Sequence, residues 1–305
     1  MLPTTDDVGR VAADAIAATV TKNPSAVIGL ASGSSPQSTY AHLSRRVHVV
    51  DLSFADAWGF ALDEYVGIPS EHPQSYAAVI KRDVTAPLKF DPSHVRLPDG
   101  RAHDLDEAAA GYDAAIRAAG GVDVQILGIG ANGHIGFNEP TSSFASRTRF
   151  KTLAPATRET NARFLDTADQ VPTHCITQGL GTILEARWLV LVAQGEEKAD
   201  AVAAAVEGPL SSFVPGSALQ LHEHATVIVD EAAAARLTLT DYYRYTYALT
   251  SLNSNATDVD RYTPIIGSGH DRALPNAPKE LNYGAQVRGG CPSDPRNDRL
   301  LIGAA

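Results

Sequence analysis

Cysteine is almost missing from this 305-residue chain. Cys175 and Cys291 are the only two, far apart and without metal-ligand spacing. That argues against a disulfide framework and against a cysteine zinc site, so no metal is expected. Long apolar runs are missing too. None approaches the roughly 20 residues that span a bilayer. No basic stretch followed by an apolar one opens the chain, so no secretory signal is expected. Positive charge is scarce: 25 Lys and Arg stand against 35 Asp and Glu, a formal net charge of -10. An acidic chain lacks the broad basic face that nucleic-acid binding requires. These absences, with a single methionine, point to a cytoplasmic protein without a membrane or nucleic-acid partner.

Alternation fills the space. Hydrophobic residues make up 44% of the chain, enough for a sizeable core. Residues 5–22 place Val8, Val11, Ala12, Ala15 and Ile16 on one helical face. Short apolar runs at 26–30, 57–62, 122–128, 188–193 and 225–229 read as buried strands. Helical patterns at 37–43, 107–119, 198–206 and 230–237 fall among them. Strands alternating with helices predict a doubly wound, Rossmann-like α/β fold: a mainly parallel sheet with helices on both faces. Such folds bind ligands beyond the carboxyl ends of their strands. From about residue 248, Asn, Asp, Pro, Gly and Arg dominate and apolar periodicity stops. The expected organisation is one domain over 1–247 and an extension, 248–305, of low order or loosely docked.

The chemistry-bearing motifs sit at expected strand ends. The run SGSSP at 32–36 offers backbone amides, serine hydroxyls and a helix N-terminus, the donors an anion needs, although an ordinary capping turn reads alike. Asp63 and Glu64 are adjacent carboxylates. One of them can be a base moving protons between neighbouring carbons, but a solvated acidic turn has the same sequence. In GIGANGHIGFNEP, 128–140, glycines permit close backbone approach. His134 titrates near neutral pH, and Glu139 is placed to orient its ring. Arg147, Arg149, Lys151, Arg158, Arg163 and Lys198 form a basic set that suits a phosphorylated or carboxylated ligand.

Taken together, IGLASGSSP (28–36), LDEYVG (62–67), HPQSY (72–76), NGHIGFNEP (132–140), SRTR (146–149) and KTL (151–153) resemble the glucosamine-6-phosphate deaminase family. The likeness runs in order to about Tyr247. It implies conversion of glucosamine 6-phosphate and water to fructose 6-phosphate and ammonia, by acid–base catalysis without metal or other cofactor. It implies a phosphate site at Ser32, Gly33, Ser34 and Ser35, with Arg163 and Lys198 pairing the charge. His134 would open the sugar ring, Glu139 would orient it, and Asp63 would carry the proton between C2 and C1. Asn132 stands where some members carry aspartate, which implies a less basic His134 here. Ser142, Arg149 and Lys151 match an allosteric site for N-acetylglucosamine 6-phosphate in hexameric members. The DYYRY ending at 241–245 looks more like members without allostery. A homo-oligomer is therefore left open, and so is discrimination from galactosamine 6-phosphate. The related 6-phosphogluconolactonases share the fold and would be expected to lack LDEYVG and NGHIGFNEP. A sugar-phosphate sensor would be expected to have lost Asp63, His134 or Glu139. The segment 140–165 is a candidate lid.

Overall fold

Runs of Val, Ile and Leu that are buried on both faces build the centre of a parallel sheet. In the computed structural model, which describes residues 1–49, 52–162, 171–253 and 300–302, helix α1 (Thr5–Lys22) comes first. The Thr4 side chain caps it by accepting the Asp7 amide at 3.1 Å. Strand β1 (Val27–Leu30) and helix α2 (Gln37–Val49) follow, then β2 (Trp58–Ala61) and β3 (Asp63–Tyr65). Next come α3 (Tyr76–Ile80), β4 (Val95–Arg96), α4 (Leu105–Ala118), β5 (Val124–Leu127), β6 (Arg149–Thr152) and α5 (Pro155–Asn161). The chain continues through β7 (His174–Thr177), α6 (Leu180–Leu184), β8 (Leu189–Ala193), α7 (Ala199–Val206), β9 (Ala225–Val229), α8 (Thr240–Asn253) and β10 (Leu300–Ile302).

The main sheet has the order β10-β9-β8-β5-β1-β2-β4, with every pairing parallel. From β1 the chain builds outward through β2 to β4; from β5 it builds the other way through β8 to β9. The order thus reverses between β1 and β5, where a crevice opens at the carboxyl ends. The 32–36 turn leaves β1 there and the 128–139 loop leaves β5. Helices α1 and α2 pack closely: a Cβ on Gly9 would lie 2.0 Å from Ser38 Oγ, so only glycine fits.

The doubly wound α/β reading therefore holds, and three local expectations change. The strand foreseen at 57–62 stops at Ala61, and Asp63–Tyr65 turns away into a second sheet, antiparallel, ordered β3-β7-β6. Strands of three and four residues carry too little periodicity to announce themselves. Residues 231–236 form turns, and the last helix begins at Thr240. There the Asp230 carboxylate accepts the Ala233 amide at 2.8 Å and the Gly195 amide at 3.1 Å, tying the end of β9 to the β8 loop. Part of 140–165 is β6 and α5. Of the 248–305 extension, 248–253 end α8 and 300–302 pair with β9; the rest lies outside the described residues. Among the described residues no helix is long and apolar enough to cross a membrane.

Candidate active site

Four segments meet over the crevice: the turn after β1, strand β3, the loop after β5 and the loop after β8. The first follows β1. Gly33 has φ +99, a left-handed conformation that favours glycine, and a Cβ there would meet nothing within 4 Å. Ser34 is exposed and Ser32 and Ser35 are half-buried, so the turn faces outward. Gln194, at the end of β8, donates from Nε2 to the Ser35 carbonyl at 3.1 Å. Lys198 follows in the same loop, close enough to His134 for its charge to disfavour a second cation. Arg163, expected as the other phosphate partner, lies outside the described residues.

The second segment, β3, carries the two carboxylates, and the structure gives them different work. Both are buried, Asp63 at 5% and Glu64 at 6% exposure. Glu64 accepts the amides of Tyr65 at 2.8 Å, Tyr76 at 2.9 Å and Ala77 at 2.8 Å. It caps the start of α3, a structural role. The Phe137 amide, which donates to Thr177 Oγ1 at 3.0 Å, is the one backbone group near enough to favour the Asp63 charge. Burial, reinforced by the Glu64 charge, pushes the Asp63 pKa up to about 8. A carboxyl with few donors and a high pKa is a strong base once ionised.

The third segment brings His134 and Glu139 together. His134 Nδ1 lies 3.7 Å from Glu139 Oε2, too long for a hydrogen bond but close enough for their charges to interact. Asn132 bridges them. Its Nδ2 donates to Glu139 Oε2 at 2.8 Å, and its Oδ1 accepts the His134 backbone amide at 3.2 Å. Burial lowers the His134 pKa; Glu139 raises it and Lys198 lowers it further. The imidazole is therefore neutral near pH 7 and can accept a proton. Gly130 makes room for the ring, since a Cβ there would sit 2.3 Å from His134 Cε1.

Ser142 and Arg149, assigned on resemblance to an effector site, are wired to this loop. Arg149 donates to Asn138 Oδ1 at 2.9 Å and to Ser142 Oγ at 3.2 Å; Ser142 Oγ donates to the Glu139 carbonyl at 2.7 Å. Lys151 lies two residues along β6, opposite Cys175.

Some residues of the site were not anticipated. Tyr76 has its ring against Phe137 and its hydroxyl 3.3 Å from that of Tyr65, and it also bonds Ser32. It thereby links the SGSSP turn to the neighbourhood of Asp63. Its place in HPQSY was the available signal. Thr177, opposite Asp63 on β7, carried no signal at all. Among the described residues, no group of three or more His, Cys, Asp or Glu side chains could hold a metal ion.

A neutral histidine, a buried carboxyl of raised pKa and a serine- and glycine-rich turn around one crevice have the make-up of an acid–base site. The chain belongs to the family of glucosamine-6-phosphate isomerases and 6-phosphogluconolactonases, whose model matches residues 4–229. Within it, the chain is 56% identical over 248 residues to the glucosamine-6-phosphate deaminase of Mycolicibacterium smegmatis, covering 81% of this chain and 95% of that protein. It is 55% identical over 239 residues to the deaminase of Cutibacterium acnes, covering 78% and 92%. A solved structure of a monomeric glucosamine-6-phosphate deaminase superposes with a TM-score of 0.76 at 40% identity, covering 77% of this chain and 98% of that one. The 6-phosphogluconolactonase of Trypanosoma cruzi shares the fold, with a TM-score of 0.61 at 18% identity, covering 77% and 95%.

Proposed function

We propose that this chain converts glucosamine 6-phosphate and water to fructose 6-phosphate and ammonia in the cytoplasm. Relatives of that activity at more than half identity support the reaction. The observation that carries the mechanism is the contrast between Asp63 and its neighbour: Glu64 is committed to three amides, whereas Asp63 is left to work. The phosphate binds the 32–35 turn with Lys198 and Arg163. His134, oriented by Glu139, takes the proton from the C1 hydroxyl as the ring bond breaks and returns it to the ring oxygen. Asp63 then removes the C2 proton and delivers it to C1, while a proton passes from the nitrogen to O1. The resulting imine at C2 takes up water and releases ammonia. The ring C–O bond breaks in the first stage and the C–N bond in the last, and each is assisted by proton transfer alone.

The raised pKa of Asp63 fits an amino sugar. In the empty site at neutral pH the carboxyl is mostly protonated. A substrate arriving as its ammonium form puts positive charge beside it, and that favours ionisation. The substrate would thus help generate its own base, which a lactone without an amine would not do.

Two further assignments belong to this reading. An anionic effector bound by Ser142, Arg149 and Lys151 would draw the Arg149 guanidinium from Asn138 and Ser142, and so act on the turn that carries Glu139. N-acetylglucosamine 6-phosphate that sharpens a sigmoidal rate curve into a hyperbola supports this; a hyperbolic curve that ignores it removes it. The 248–305 extension is an appendage to the 1–247 domain, so deleting 254–305 is expected to leave the rate of ammonia release unchanged.

The direct test is ammonia release from glucosamine 6-phosphate, with and without a chelator, alongside Asp63→Asn. Ammonia that survives chelation and disappears in the variant is expected. Ammonia that persists in Asp63→Asn overturns the assignment of the base, and none from the intact enzyme overturns the reaction.

A further inference from the structure

The Phe137 amide has two acceptors in reach. It donates to Thr177 Oγ1 at 3.0 Å, and it also stabilises the charge of Asp63. The three groups are crowded together. Asp63 and Thr177 are direct partners across β3 and β7. A Cβ on Gly136, whose φ is +54, would lie 3.1 Å from Thr177 Oγ1 and 3.6 Å from Asp63 Oδ2. Thr177 Oγ1 accepts the Phe137 amide, and its other polar neighbour is the Gln178 carbonyl, a long contact at 3.4 Å. Thr177 is fully buried, so water does not replace either bond.

We propose that Thr177 is a positioning residue for the base: its hydroxyl oxygen competes with Asp63 for the Phe137 amide, and so weakens the hydrogen bonding of the Asp63 carboxylate. A donor withheld from a carboxylate disfavours its charged form. The same hydroxyl fixes the backbone at Phe137, midway between His134 and Glu139, so one contact sets both the base and the loop of its partner. This rests on Asp63 being the carbon base.

The other titratable groups facing Asp63 are Glu64 and Tyr65 on its own strand, Tyr76 from α3, Tyr112 from α4 and Cys175 from β7. The His134 ring lies 6.4 Å from the Phe137 ring between centroids. Burial raises the three tyrosines and the thiol, which stay neutral through the working range. Glu64 keeps its three amides in any Thr177 variant.

The experiment compares pH profiles of kcat/KM for the intact enzyme, Thr177→Val and Thr177→Ser, with Asp63→Asn as reference. Valine keeps the shape and deletes the acceptor, so the Phe137 amide turns to Asp63. The acid limb is expected to move to lower pH by about one unit. Serine keeps the oxygen and is expected to retain the original limb. An infrared titration of the Asp63 carboxylate band, identified by its loss in Asp63→Asn, should move with the limb. If the valine variant does not fold, Thr177→Ala deletes the same acceptor without bulk. A limb and a band that stay put when the hydroxyl is removed overturn the proposal, as does a serine variant that shifts like valine. Activity surviving in Asp63→Asn would instead remove the base assignment, and the infrared band would still report whether Thr177 tunes the carboxyl.

Discussion

Replacing Asp63 by asparagine should stabilise the protein, and increasingly so as pH rises. Burial moves the carboxyl from 3.8 in the unfolded chain to about 8 in the fold. Below pH 4 both states hold the proton and burial costs little. Between pH 4 and 8 the unfolded chain releases the proton while the folded chain retains it, so stability falls as pH rises. Above 8 the ionised carboxyl is buried and the penalty is complete. Some four units at 1.36 kcal/mol each make that penalty on the order of 5 kcal/mol. An amide has the same shape and no charge at any of these pH values. From about pH 5 to about pH 9 the stability advantage of Asp63→Asn should therefore widen by roughly 4 kcal/mol. For a domain of this size that is a gap growing by roughly 10 °C in Tm. Thermal or urea unfolding of both proteins across the pH range reads it directly. A gap that stays constant, or narrows as pH rises, would refute the reasoning, because Asp63 would then be held as a carboxylate by donors that offset its burial. A base that weakens its own fold is the expected cost of a functional carboxyl in an apolar setting.

The other predictions concern rate. The acid limb of kcat/KM should lie near 8, since Asp63 must lose its proton to act; a limb near 4 would return Asp63 to an ordinary carboxyl. Asn132→Asp would set a carboxylate against Glu139 Oε2, where Nδ2 now donates at 2.8 Å. The added negative charge should raise the His134 pKa and move the pH–rate profile to higher pH, and an unmoved profile would sink the idea. Gly130→Ala places a methyl within 2.5 Å of His134 Nδ1 and Nε2. The displaced ring should cost about 100-fold in kcat, with the far-ultraviolet circular dichroism unchanged; a near-normal kcat would separate His134 from the chemistry.

Much of this protein is written locally in its sequence. The apolar runs of β1, β8 and β9 announce a sheet buried on both faces, because such strands need no polar side. Turns rich in glycine and serine after β1 and β5 mark the crevice, because only those residues permit the backbone geometry and the donors an anion needs. Helix α1 was legible from its single apolar face. The identity of adjacent residues was legible too, but not their division of labour. Asp63 and Glu64 read as one acidic pair until α3 folds back and presents its amides to Glu64 alone. The antiparallel sheet was hidden because its strands are short and two of its partners stand far from β3 in the chain. Thr177 looks like any strand threonine, and Asp230 like the start of a helix. Their roles come from contacts that only the assembled fold makes. Local propensity and periodicity act over a few residues, so they determine elements and motifs; burial and the sharing of a donor act across the fold, so the tertiary structure alone decides which carboxylate is committed to backbone amides and which is left raised in pKa.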